Sequence, residues 1–205
     1  MTTPPTPEVL LFDVMGTLVY DPFYVEMPAF FHMSLDELIA QNDPTAWIEF
    51  ERGEIDGDAF LDRFFADKRA YDREGLLECM RSSYRWLQGM EELLAQLHSG
   101  GFKIVALSNY STWYRMIEER LGLSRYLTWD LVSCHTGWRK PDTGAFHDAL
   151  ERLAVPAEVC LFVDDREDNC RAAREVGIRA LEFRNADELR HELRAQAGMV
   201  VGETP

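Results

Sequence analysis

The sequence predicts an α/β fold: a parallel β-sheet with helices on both faces, interrupted by a small inserted α-helical lid. Three observations predict it. From residue 89 onward, short apolar runs alternate with helical periodicity, the order that right-handed crossovers impose on a parallel sheet. Four polar motifs each follow an apolar run. Residues 20–86 show helical patterning without a strong β run, so they break the alternation after a single strand.

The elements follow in order. Residues 1–7 are rich in Thr and Pro and are expected to form a disordered tail. Val9-Leu10-Leu11-Phe12 reads as the first strand. In the lid, Ser34-Leu35-Asp36-Glu37 resembles a helix start, Pro44 can open the next helix, and Gly57-Asp58 precedes a helix bearing Ala59, Phe60, Phe64 and Phe65. Beyond the lid, residues 90–99 carry Leu93, Leu94 and Leu97 at helical spacing and stop at Gly100-Gly101. A strand over residues 103–107 follows. Helices are expected at residues 112–121, 143–153, 168–176 and 186–195, with strands near Leu131, Leu161 and Ala180 between them.

The chain of 205 residues suits one domain with an insertion. Its formal charge of -15 repels nucleic acid and anionic membrane surfaces at long range. No apolar run of membrane-spanning length is present, and no apolar leader follows a basic start. Cys79, Cys134, Cys160 and Cys170 lack CxxC spacing, which fits reduced thiols in the cytoplasm.

Strands of a parallel sheet share one carboxyl edge, and ligands bind in the crevice there. Asp13 follows the first strand, Ser108-Asn109 the second, Lys140 lies in Arg139-Lys140-Pro141-Asp142 after the Leu131 run, and Asp164-Asp165 follow Leu161-Phe162-Val163. A carboxylate nucleophile, a hydroxyl, an amide, a cation and a carboxylate pair in one pocket suit phosphoryl transfer to an aspartate with magnesium. His32, His98, His135, His147 and His191 share no metal-ligand spacing, and Gly16, Gly137 and Gly144 read as turn residues.

Asp13-Val14-Met15-Gly16-Thr17-Leu18, with the three later motifs in order, resembles the haloacid dehalogenase-like hydrolase superfamily, in its phosphatase branch with a helical cap. That resemblance implies a Rossmann-like core at residues 8–19 and 87–205, with the cap at residues 20–86. It implies that Asp13 is the nucleophile and that Lys140 supports it. Ser108, Asn109 and Thr17 would bind phosphate. Asp13, the Met15 carbonyl, Asp164 and Asp165 would hold Mg2+, Asp165 directly and Asp164 directly or through water. Entry of a small phosphorylated metabolite would require lid movement about hinges near residues 19–22 and 86–89.

Met15 departs from the superfamily pattern, because most of its phosphatases carry there the aspartate that protonates the leaving group. A thioether cannot donate that proton, and losing a general acid typically costs about 10² to 10⁴ in rate. His32, in the lid, is a candidate replacement. Dehalogenation, whose leaving halide needs no proton, is an alternative that the paired carboxylates disfavour; a phospho-ligand-binding protein without turnover is another. The strings Leu11-Phe12-Asp13-Val14-Met15, Asp21-Pro22-Phe23-Tyr24, Pro28-Ala29-Phe30-Phe31 and Trp47-Ile48-Glu49-Phe50-Glu51, together with Tyr114, Ile117 and Glu118, look like flavin mononucleotide hydrolases of the chloroplast type. That resemblance implies that Met15 is a subgroup trait. More than half of the aromatic residues fall between Tyr20 and Trp86. Packing explains such a cluster in a small helical unit. A flavin would give it a second role, stacking on Tyr24, Phe31, Trp47 or Trp113.

Overall fold

The computed structural model describes residues 6–197. Of the expected N-terminal tail, residues 1–5 lie outside that range, and Pro7 is buried. Five parallel strands form one sheet: β1 (Val9–Phe12), β2 (Lys103–Ser108), β3 (Thr128–Val132), β4 (Cys160–Asp164) and β5 (Arg179–Glu182), in the order β3-β2-β1-β4-β5. β1 is therefore central, and the connections run outward from it in both directions.

Alternation along the strands builds two cores. Leu10 and Phe12 of β1, Ile104 and Ala106 of β2, and Leu161 and Val163 of β4 join one apolar cluster. It also contains Leu93, Leu94 and Leu97 of α6 (Met90–Ser99), Met116 and Ile117 of α7 (Tyr114–Leu121), and Leu189 and Leu193 of α11 (Ala186–Ala197). The intervening residues Val9, Leu11, Val105, Leu107 and Phe162 face the other way. They pack on Phe146 and Ala149 of α9 (Thr143–Leu153) and Ala172 and Ala173 of α10 (Glu167–Glu175). Both faces are covered, as a parallel sheet of uninterrupted apolar runs requires.

Five helices lie between β1 and α6: α1 (Glu26–Phe30), α2 (Leu35–Gln41), α3 (Ala46–Glu51), α4 (Gly57–Asp62) and α5 (Arg73–Ser83). The Ser34 side chain accepts from the Glu37 N–H, and the Glu37 side chain accepts from the Ser34 N–H, a reciprocal cap that starts α2. α3 begins at Ala46, past Pro44, because the Asp43 carboxylate collects the Thr45 and Ala46 N–H groups. α4 ends at Asp62, so Phe64 and Phe65 follow the helix. With Phe31 and Tyr71 these two rings form an aromatic quartet, centroids 4.9–5.7 Å apart.

The two chain crossings into and out of this helical segment pair with each other. The Tyr20 N–H donates to the Arg85 carbonyl and the Leu87 N–H to the Leu18 carbonyl, each at 2.9 Å, around an antiparallel bridge between Val19 and Trp86. A short helix not foreseen from the sequence, α8 (Ser133–Thr136), follows β3 and turns the chain toward Arg139 and Lys140. Among the described residues no helix is long and apolar enough to cross a membrane.

Candidate active site

Strand register brings the motifs together. Phe12 aligns with Ala106 of β2 and with Val163 of β4, so Asp13 stands one step past the central strand, level with Asp164. The Asp13 N–H donates to the Val163 carbonyl at 2.9 Å and carries the ladder one residue further. Lys140 arrives from the loop beyond α8. Its backbone is clamped by Asn109, whose side-chain carbonyl accepts from the Lys140 N–H at 2.8 Å and whose amide donates to the Lys140 carbonyl at 2.7 Å. Asn109 thus positions the lysine through its main chain and also reaches the cavity.

The Lys140 side chain is 2 % exposed and bridges two carboxylates. Its Nζ lies 2.9 Å from Asp13 Oδ1 and 2.6 Å from Asp164 Oδ2. Burial pushes the Asp13 carboxyl up, to about 7, with Lys140 pulling against that rise and Asp164 and Asp165 adding to it. The two carboxylates outweigh burial at Lys140 and hold its ammonium above the ordinary lysine range. Asp164 is fully buried and heavily engaged. Its Oδ1 accepts from the Arg166 N–H and from Asn169 Nδ2, both at 2.9 Å, while Oδ2 accepts from Lys140 and Asn169.

Oxygens of Asp13, Asp164 and Asp165 lie within 4.8 Å of one another, a hard-donor set suited to a divalent ion such as magnesium. Gly16 leaves room for the Asp165 carboxylate. At φ +79° it adopts a left-handed conformation, and a Cβ there would come within 2.8 Å of Asp165 Oδ2. Thr17 is fully buried, and its hydroxyl accepts from the Asp165 N–H at 3.1 Å, so it orients the aspartate from beneath. The buried Ser108 Oγ has no hydrogen-bond partner among the described residues.

A cavity of about 270 Å³ opens over these groups. Asp13, Met15, Asn109, Lys140 and Asp165 lie along it with Phe23, Tyr24, Trp47 and Tyr110. Ser108, Thr17 and Asp164 do not line it. Tyr24 is exposed and stands edge-on to Phe23. Phe31 and Trp113 are elsewhere: Phe31 belongs to the quartet, and Trp113 is buried against Phe50, Phe60 and Trp47. His32 is exposed with φ 55° and does not line the cavity.

Five further charged or amide-bearing lining residues emerge as such only in three dimensions: Asp21, Glu51, Arg139, Arg166 and Asn169. Glu51 ends α3 and is 5 % exposed. It accepts from Trp47 Nε1 at 2.7 Å and from Arg139 Nε at 2.6 Å, while its carbonyl accepts from Ser133 Oγ. One acid therefore ties the helical segment to the loop that carries Lys140. The Trp47 to Glu51 spacing of one helical turn was a signal for the first contact; no local signal exists for a partner 88 residues away.

The model of the haloacid dehalogenase-like hydrolase family matches residues 7–177. The chain is 48% identical over 185 residues to flavin mononucleotide hydrolase 1 of Arabidopsis thaliana, covering 90% of this chain and 76% of that protein. Its fold matches that of a haloacid dehalogenase-family enzyme from Bacteroides thetaiotaomicron, solved with magnesium and inorganic phosphate. The TM-score there is 0.76 at 19% identity, over 92% of this chain and 100% of the other. An L-2-haloacid dehalogenase shares the fold more loosely, with a TM-score of 0.62 at 21% identity over 85% and 82% of the two chains.

Proposed function

The chain belongs to the haloacid dehalogenase-like hydrolases, and we propose that it is a magnesium-dependent phosphomonoester hydrolase acting on a small phosphorylated metabolite, flavin mononucleotide foremost. One observation carries this reading. A buried carboxylate at the end of the central strand shares its cavity with a buried lysine, the Asp165 carboxylate and an aromatic wall. The Arabidopsis relative, named for flavin mononucleotide, supports the choice of substrate. Phe23, Tyr24, Trp47 and Tyr110 offer faces and edges suited to a flat ring.

Asp13 attacks phosphorus and carries the phosphoryl group as an acyl phosphate, which water then cleaves. Lys140 favours the ionised nucleophile and, held from both sides, presents its charge without rearrangement. Asp164 acts through Lys140 as a positioning residue. The Ser108 hydroxyl donates to a phosphoryl oxygen and Asn109 fixes the loop that brings Lys140 in. Asp13, Asp165 and the Met15 carbonyl would hold the magnesium ion, with Asp164 of the same oxygen cluster acting directly or through water. When bound, the ion neutralises charge on the transferring oxygens. The carboxylates beside Asp13 also disfavour dehalogenation, since they would repel a haloacid anion and that reaction needs no metal. Free thiols at all four cysteines support a reducing, cytoplasmic setting.

The test is a panel of phosphorylated metabolites that includes flavin mononucleotide, with magnesium present or chelated. Metal-dependent release of phosphate, with riboflavin as the other product, is expected. No release from any ester would overturn the assignment.

A further inference from the structure

We propose that Asp21 is the general acid and base of this site, filling the role that Met15 leaves open. The proposal rests on the phosphatase reading above and deepens it. Among the described residues, four carboxyl groups line the cavity: Asp13, Asp21, Glu51 and Asp165. Three of them are committed. Asp13 pairs with Lys140, Asp165 belongs to the oxygen cluster, and Glu51 has one oxygen on Trp47 Nε1 and the other on Arg139 Nε. Burial raises the Glu51 pKa and Arg139 and the Trp47 N–H pull it back, but with both oxygens accepting hydrogen bonds the side chain has no oxygen left to present to a substrate.

Asp21 is different. Its Oδ1 accepts from the Phe23 N–H at 2.9 Å, and no ion pair or second hydrogen bond holds Oδ2 among the described residues. That oxygen is available to carry a proton. The side chain is half-buried and lines the cavity. Burial raises its pKa, the Phe23 N–H offsets part of the rise, and the charges of Asp165 and of Glu26 on α1 add to it. Glu51 on α3 and Tyr84 and Tyr110 also feel its charge, so it stands among groups from both the lid and the core. The other candidates fail on position. His32 does not line the cavity, and the Tyr110 hydroxyl is engaged with that of Tyr84 at 2.8 Å. Asp21 also follows directly on the paired crossing at Val19 and Tyr20, which anchors its backbone at the root of the helical segment.

The chemistry balances within the site. As Asp13 bonds to phosphorus, the bond from phosphorus to the leaving oxygen breaks, its electron pair stays on that oxygen, and the Asp21 carboxyl gives it a proton. Asp21, now a carboxylate, takes a proton from the water that attacks the acyl phosphate. The bond from phosphorus to Asp13 then breaks, which releases phosphate and restores both side chains.

The variant Asp21→Asn keeps the acceptor for the Phe23 N–H and removes the proton. Rapid-mixing measurement of alcohol release separates the first step from hydrolysis of the intermediate. The expected loss in that first step is about 10² to 10⁴ for an alkyl phosphate and less than tenfold for 4-nitrophenyl phosphate, whose leaving group needs no proton. Asp21→Glu should recover part of the alkyl rate. Equal losses on both esters, or an undiminished alkyl rate in Asp21→Asn, would overturn the assignment. So would an Asp21→Glu variant, folded by circular dichroism, that recovers no alkyl rate while Asp21→Asn is unfolded. A wild-type protein inactive on every ester would instead overturn the phosphatase reading itself.

Discussion

Replacing Lys140 by Met removes the charge from the site while leaving a side chain of similar length. The wild-type ammonium is 2.9 Å from one buried carboxylate and 2.6 Å from another, so its loss leaves two anions facing each other out of water. Breaking a buried pair on one side costs about 3–5 kcal/mol. Proton uptake caps that cost. Asp13 titrates near 7 with Lys140 pulling its pKa down, and without that pull it rises further. A carboxyl whose folded pKa exceeds its unfolded value holds a proton that unfolding releases. Its stabilising contribution is complete below about pH 4 and is lost as pH rises through the folded value. In the wild type that loss runs from about pH 4 to about 7 and then levels. In Lys140→Met it continues above pH 7. Each pH unit over which it continues amounts to about 1.4 kcal/mol, or about 3–6 °C in Tm for a chain of this size. Thermal melts of both proteins in chelator, across pH 6 to 9, measure the divergence. At pH 7 turnover should also fall by at least about 10²-fold, the usual cost of one preorganised charge. A Tm difference that does not change with pH, or a kcat within threefold of wild type, would refute the bridging role.

Three other perturbations test the rest of the site. Asp13→Asn should abolish turnover, by about 10⁴-fold or more, with Tm unchanged or higher, because it removes a buried anion near Asp164 and Asp165; retained phosphate release would remove Asp13 as nucleophile. Gly16→Ala puts a methyl within 2.8 Å of Asp165 Oδ2 at a left-handed backbone position, so magnesium affinity should fall about 10- to 100-fold, read from the rise of Tm with added metal. In Glu51→Gln the Arg139 tie is weakened, and the helical segment should be cut faster by protease while KM rises; unchanged cleavage and KM would show that Glu51 does not govern closure.

The inner strands β1, β2 and β4 were legible because each is an apolar run bounded by a turn or helix signal, whereas the edge strands β3 (Thr128-Trp129-Asp130-Leu131-Val132) and β5 (Arg179-Ala180-Leu181-Glu182) are mixed and were placed only by the alternation of strand and helix. Asp13, Lys140 and Asp165 were legible as a set because each follows a strand whose carboxyl end must share an edge with the others. The lid wall was not. Phe31 and Trp47 look alike in sequence, yet Phe31 turns into the aromatic quartet while Trp47 lines the cavity, a choice made by packing among five short helices. Thr17 had the chemistry of a phosphate ligand, but the tight turn after β1 places its hydroxyl under the Asp165 N–H. Glu51 and Asp21 were hidden for another reason. Their importance comes from what surrounds them, Arg139 across 88 positions in one case and a shared cavity in the other.

An acidic protein that captures an acidic ester must reverse its own field locally, and the cavity residues show how far the chain goes alone. Asp13, Asp21, Glu51 and Asp165 carry four negative charges when ionised, against three positive charges on Arg139, Lys140 and Arg166, a net of -1. One divalent ion brings the sum to +1, and a proton held on Asp21 brings it to +2. Each step opposes the overall charge of -15 only within a Debye length, about 8 Å at physiological ionic strength. The attraction therefore acts on a phosphoryl group already inside the cavity. Outside the mouth the molecule still repels anions, which leaves the apolar contacts of Phe23, Tyr24 and Trp47 to favour the approach. An ester with a flat apolar body gains from both regions. A bare sugar phosphate gains only from the inner one, so the aromatic wall and the charge balance select for the same class of substrate.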